Sequence, residues 1–292
     1  MRIFGFVFAL LAFAVTQAQA QDDYPTRPIR ILVPYAPGGN GFIAVADAAK
    51  SAPDGYTLVM VTVGDVAINP ALFKDMPYDV DRDLVPITAV SDAPVVLAAN
   101  GNTPYKTLAD VIAAAKTKPD ALSVSSPGYG TVNQLILESI ALNTGTKFVH
   151  VPYKGGAPAA QALVAGDVPL GVLASSSAAP YVPTGQIRVL GVGSIARSPL
   201  NPEWPTLKEQ GAGDINASNW TALLAPKGVP QPIIDKLNAK VGEILAMPDV
   251  KAKFAAGGVS TIPSTPAELS ARIKRELATY RVVIEKANVH ID

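Results

Sequence analysis

Cysteine is absent from all 292 residues, and histidine occurs only at positions 150 and 290. Without thiols there is no disulfide frame, no thiolate metal ligand and no cysteine nucleophile. Two isolated histidines offer little to general-base chemistry. Charge is scarce as well: 16% of residues are charged, 24 basic against 24 acidic, with no basic cluster. That excludes the electrostatic footprint of a nucleic-acid surface. No Gly-x-Ser-x-Gly elbow, no Walker lysine after a Gly-rich turn and no His/Asp/Glu group at metal spacing occurs. Catalytic residues, metal ligands and cofactors are therefore all read as none, and a hydrolase is the weakest reading.

What the chain has is apolar residues, 49% of the total. The first of them form a separate unit at residues 1–20. Arg2 precedes an apolar run from Ile3 to Val15, and Ala18-Gln19-Ala20 supplies small residues for cleavage. This is the pattern of a secretory signal peptide, too short to span a bilayer. The mature chain is expected to start at Gln21 in the periplasm, one charge negative once Arg2 is lost, with no cysteine for lipid attachment. No later run of about 18 apolar residues suggests a membrane span. An exported chain without disulfides needs a large core, and its length suits two domains.

Strand and helix signals alternate. Ile29–Pro34 reads as a strand ending in Pro37-Gly38-Gly39, and Tyr56–Val61 as another, entered by Pro53-Asp54-Gly55. Leu84–Ala99 is expected to hold two strands split near Asp92-Ala93-Pro94. Thr107 opens a helix, with Leu108, Val111, Ile112 and Ala115 on one face. Leu122–Ser125, Phe148–Val151, Pro169–Leu173 and Arg188–Val192 read as strands, with helices near 131–142 and 158–165, the latter closed by Gly166. The last helices are predicted over 232–247, with Ile233, Ile234, Leu237, Val241, Ile244 and Leu245 inward, and from Thr265, with Pro266 at N1 and Glu268 at N3. This alternation predicts an α/β protein with parallel sheets covered by helices.

Several segments, in order, resemble one family: Tyr24-Pro25, Pro28-Ile29-Arg30, Val33-Pro34-Tyr35-Ala36-Pro37-Gly38-Gly39, Ala52-Pro53-Asp54-Gly55-Tyr56-Thr57-Leu58, Ile68-Asn69-Pro70-Ala71-Leu72-Phe73, His150-Val151-Pro152-Tyr153-Lys154-Gly155, Arg197-Ser198-Pro199 and Pro205-Thr206. The set is similar to the tripartite tricarboxylate transporter substrate-binding proteins, the Bug or TctC-type receptors. The resemblance implies a two-lobed periplasmic-binding-protein fold (Venus flytrap, type II) that holds a small di- or tricarboxylate or related organic acid between lobes. It implies a monomer that partners membrane transporter subunits or the ectodomain of a sensor kinase. Crossings between lobes are expected near 120–124 and 217–223, giving lobe one as 21–120 plus 223–292 and lobe two as 121–222.

One departure stands out. The family places a helix, a strand and a second Gly-rich turn after the first Pro-Gly-Gly, whereas here Gly39 runs into Asn40-Gly41-Phe42 and a short helix to Lys50. A helix and strand look deleted, and 40–50 barely supplies the dozen or so residues a parallel crossover needs. The expected cost is a gap or open edge in the sheet of lobe one and uncovered apolar surface. The alternative is that 40–50 re-forms the crossover as one short helix.

For ligand binding, Ser126-Pro127-Gly128-Tyr129-Gly130-Thr131 is the first candidate: glycines turn N–H groups inward, a helix start follows, and Ser126 and Thr131 add hydroxyl donors. The same residues also make an ordinary strand–helix turn with Thr131 as N-cap. Thr62-Val63-Gly64 in lobe one, Tyr153 and Gly155 after another strand, Ser175, and Pro37-Gly38-Gly39 complete the predicted set. Asp65 is expected to repel a carboxylate or to cap the following helix, and His150 to be structural. Ser175 lies in a stretch where relatives carry an acidic residue and this chain has none, which favours a plain organic acid over an amino acid.

Overall fold

A computed structural model describes residues 24–34 and 41–290. The expected signal peptide and Pro37-Gly38-Gly39 lie outside the described residues. Among the described residues, nine strands and seven main helices are joined by short helical turns. In chain order the strands are β1 Arg30–Leu32, β2 Thr57–Thr62, β3 Leu84–Asn100, β4 Ser123–Ser126, β5 Val149–Pro152, β6 Leu170–Ala174, β7 Ile187–Val192, β8 Ser218–Pro226 and β9 Ser260–Thr261. The helices are α1 Phe42–Ala49, α2 Leu108–Thr117, α3 Val132–Thr144, α4 Gly156–Ala165, α5 Gln231–Ala246, α6 Pro248–Ala256 and α7 Pro266–Ala287.

Helix boundaries follow local chemistry. Thr107 and Asp110 form a reciprocal capping box at α2, as do Thr265 and Glu268 at α7. Gly166 closes α4 in the left-handed region at φ 83°. On α5, Ile233, Ile234, Leu237 and Leu245 are buried as predicted, but Ile244 is exposed. The apolar stripe is narrower there than the sequence pattern suggests.

The strands form two sheets that share β3. In the first, the order is β1-β2-β8-β3, with β9 on the other edge of β3. In the second, β7 and β6 flank the end of β3, and β4 and β5 continue outward from β6. Both sheets are mixed rather than parallel: β1–β2, β4–β5 and β4–β6 are parallel, while every pairing of β3 and β8 is antiparallel.

The two strands expected over 84–99 are one strand of 17 residues. Leu84–Pro94 pairs with β8 and Val95–Asn100 with β6 and β7. The change of partner falls at Pro94, which has no N–H to extend a ladder. The register also slips between Pro86 and Thr88, a bulge beside another proline. The chain therefore enters the second sheet at residues 94–95. Residues beyond that point hold to the second sheet: Asn100 Nδ2 donates to Leu163 O at 2.8 Å and Arg188 Nη1 to Tyr105 O at 2.8 Å. The return comes at Ser218, opposite Pro94.

Among the described residues α1 is the one helix between β1 and β2, and β1 pairs directly with β2. The short-helix alternative holds, at a visible cost. Among the described residues β1 is an edge strand with β2 as its one partner. Beside it Ile31, Val33 and Ile43 are 47%, 65% and 88% exposed. Uncovered apolar surface is what loss of a helix and strand from this place predicts.

Candidate functional site

Three turns follow the parallel strands of the second sheet. The turn after β4 is pinned to the turn after β5 by two backbone bonds, Tyr153 N to Ser126 O and Gly155 N to Pro127 O, both 2.9 Å. The third turn, after β6, touches the second: an added Cβ on Gly156 would lie 2.7 Å from Ser177 Oγ. Gly128 at φ 150° and Gly130 at φ 67° take conformations that L side chains rarely adopt. The predicted residues Ser126–Thr131, Tyr153, Gly155 and Ser175 are thus brought together.

The first-sheet turn reaches the same junction through strand register. Thr62 at the end of β2 is level with Thr221, which is level with Ser91 on β3. Val95, four residues on, is level with Ala174 at the end of β6. Thr62-Val63-Gly64 and Ser175 therefore flank the point where β3 crosses between sheets. Ligands of α/β proteins commonly bind at such a switch in strand order, beyond the carboxyl ends of the parallel strands.

The polar groups are used differently from the sequence expectation. Ser126 is fully buried, and its Oγ accepts from Gly128 N at 3.1 Å. Thr131 donates its hydroxyl to Gly128 O at 2.8 Å and accepts from Gln134 N at 3.3 Å, which makes it the N-cap of α3. Gly130 N donates to Gln134 Oε1 at 2.8 Å. Both hydroxyls and two of the glycine N–H groups thus build the turn rather than face outward. With Gln134 N taken by Thr131, the donors this turn offers a ligand are the N–H groups of Val132 and Asn133 at the start of α3 and the phenol of Tyr129, 61% exposed. Ser175 donates to Gly258 O at 3.1 Å, tying the third turn to the segment before β9 in the first sheet.

Asp65 is buried, and its Oδ2 accepts from Thr62 N at 2.7 Å and Thr62 Oγ1 at 3.1 Å. Its charge is thereby turned back onto the end of β2. Gly41, at φ 75°, packs so closely that no Cβ fits beside this carboxylate.

His150, expected from the sequence to be structural, packs into the turn after β4. Its Nε2 lies 2.5 Å from Ser126 Oγ, and its ring meets Tyr129 edge-on at 5.2 Å. Burial holds its pKa below the ordinary histidine value. The available signal was strand pairing: His150 is level with Val124 and Pro152 with Ser126, so Ser126 and His150 are diagonal neighbours on one face.

Two cavities lie elsewhere. One of about 690 Å³ opens between Pro70–Lys74 and the end of α7. Another of about 330 Å³ sits behind the crossing strands, lined by Asp92, Ser218, Arg272 and Glu276 among others. Neither includes a predicted site residue.

A profile described as "Tripartite tricarboxylate transporter family receptor" matches residues 27–289. Protein BugT of Bordetella pertussis is 31% identical over 300 residues, covering 92% of each chain. That alignment is longer than this chain's 292 residues, so BugT carries segments this chain lacks. Among solved structures, Rpa4515 of R. palustris with adipate superposes at a TM-score of 0.82 with 27% identity, covering 92% of this chain and 99% of its own. MatC of Rhodopseudomonas palustris with bound malate gives 0.76 with 27% identity, covering 89% and 100%.

Proposed function

The chain belongs to the tripartite tricarboxylate transporter receptor family, and on that premise we propose that it captures a small carboxylate between two lobes and hands it to membrane transporter subunits. Solute-binding receptors of this family have the two-lobed periplasmic-binding fold, and the close structural matches place this chain in it. The lobes proposed from strand pairing are 24–94 with 218–290, and 95–217.

The observation that carries the carboxylate reading is the set of turns flanking the β3 crossing. The turn after β4 presents the N–H groups that open α3 and a phenol, while on the first-sheet side Thr62 N–H is given to the Asp65 carboxylate and Gly64 N–H to Thr62 Oγ1. Such donors suit an anion held by hydrogen bonds, some of them through water. The adipate and malate held by the two structural relatives are of this class. The proposed contacts are the turn Pro127–Thr131, Tyr153, Gly155, Thr62–Gly64 and, from the sequence, Pro37–Gly39. Ser126 and Ser175 support them from behind.

Calorimetry with malate, adipate, citrate and an amine of matched length tests this. Binding by one or more acids and none by the amine is the expected result; indifference to all of them overturns it. A second reading, a copy with weakened binding, is favoured by the open β1 edge. Affinity in the millimolar range for every acid would support it.

A further inference from the structure

We propose that His150 is the positioning residue of the binding turn, held as the Nε2–H tautomer so that it donates to Ser126 Oγ. This deepens the receptor reading and rests on the turn after β4 being the ligand turn.

Ser126 Oγ has three neighbours: Gly128 N at 3.1 Å, Gly128 O at 3.3 Å and His150 Nε2 at 2.5 Å. A hydroxyl offers one proton and two lone pairs. With the proton on Nε2, both lone pairs are filled, by Gly128 N–H and by the imidazole, and the hydroxyl proton points to Gly128 O. All three neighbours are satisfied. With the proton on Nδ1, the serine must donate to Nε2 and its bond to Gly128 O is lost. A buried N–H is then left at Nδ1, an atom with no hydrogen-bond partner. Orphaned buried N–H donors are rarer than under-used acceptors, so the Nε2–H form wins on both counts.

This arrangement fixes the two halves of the turn. Through Ser126 it holds Gly128, whose φ of 150° sets the direction of the backbone leading to α3. Through the edge-on ring contact it holds Tyr129, the exposed side chain of the rim. His150 does this from within β5, with Nδ1 buried and Nε2 engaged by Ser126. Burial holds its pKa below the ordinary histidine value.

Nitrogen NMR of the free protein reads the tautomer directly, and a protonated Nδ1 with a bare Nε2 would overturn the proposal. His150→Gln places an amide N–H where Nε2 stands, whereas His150→Leu does not. Amide exchange at Gly128 should therefore be fast in His150→Leu and near wild type in His150→Gln, again without ligand. Equal exchange in the two variants would also overturn it. With whichever of malate or adipate the wild type binds, His150→Leu should weaken affinity by about tenfold or more and His150→Gln by far less. If the wild type binds neither acid, the receptor reading fails, while the tautomer and exchange results still decide the role of His150.

Discussion

Arg272 reaches from α7 to Asp92, with Nη2 3.2 Å from Oδ1, two residues before β3 changes sheets. The same nitrogen lies 3.1 Å from Ser218 Oγ, at the first residue of β8. One side chain thus holds both strands that connect the lobes. Its Nε donates to Glu276 at 2.8 Å, and Glu276 in turn accepts from Trp220 Nε1 at 2.7 Å beneath the guanidinium.

Removing this arginine leaves two carboxylates short of a partner in a site less than a quarter exposed. Arg272→Ala should cost about 2–4 kcal/mol, near the lower end for breaking buried pairs because some water reaches the group. Urea unfolding checks it. A loss under 1 kcal/mol would show that the strands need no such clasp.

Gly41 and Asp65 form a second dependent pair. Gly41→Ala introduces a left-handed alanine, at about 1–2 kcal/mol, and drives its Cβ into the Asp65 carboxylate. The double variant with Asp65→Ala removes the collision but also the bonds to Thr62. A double-mutant cycle should give a combined loss smaller than the sum of the single losses. Additivity would mean that the two residues do not meet.

The open edge predicts solution behaviour. Val33→Lys and Ile43→Lys replace exposed apolar groups beside β1 with charge. Each should leave stability within about 0.5 kcal/mol and lower light scattering at high protein concentration. Unchanged scattering would show that the edge is not the sticky surface.

The buried His150 also predicts a pH dependence. Its folded-state pKa lies below 6.5 while the unfolded value is near 6.5. As pH falls through 6.5 the unfolded chain takes up a proton that the folded protein refuses, so stability drops until the folded pKa is reached and then levels off. His150→Gln should flatten this part of the profile relative to wild type, measured by unfolding between about pH 4.5 and 7.5. Parallel profiles would remove histidine as the cause.

Local chemistry was legible in the sequence. Thr107 with Asp110 and Thr265 with Glu268 declared their helices because both halves of each box lie within one turn. Gly166 and the β4–α3 turn were legible for the same reason. What sequence could not carry was pairing between distant segments. β3 looked like two strands because Pro94 reads as a break, and only β8, over 120 residues later, shows that the chain runs straight through. Ser126 looked like a ligand donor because a serine in a Gly-rich turn usually faces out; His150, on the next strand, turns it inward. The missing crossover was visible as a shortened interval, but whether α1 could bridge it depended on packing.

β8 lies between β2 and β3, the central position of the first sheet. Residues 57–94 therefore have no sheet partner among themselves, and must wait for 218–226 before their edges are closed. The intervening stretch carries β4, β5, β6 and β7 complete, along with the end of β3 that pairs with them. The second sheet can assemble from contiguous chain while the first is still two unjoined pieces. Order of assembly is then dictated by topology: the inner segment closes its own loop first and, by drawing residues 94 and 218 together, shortens the entropic search that completes the outer one.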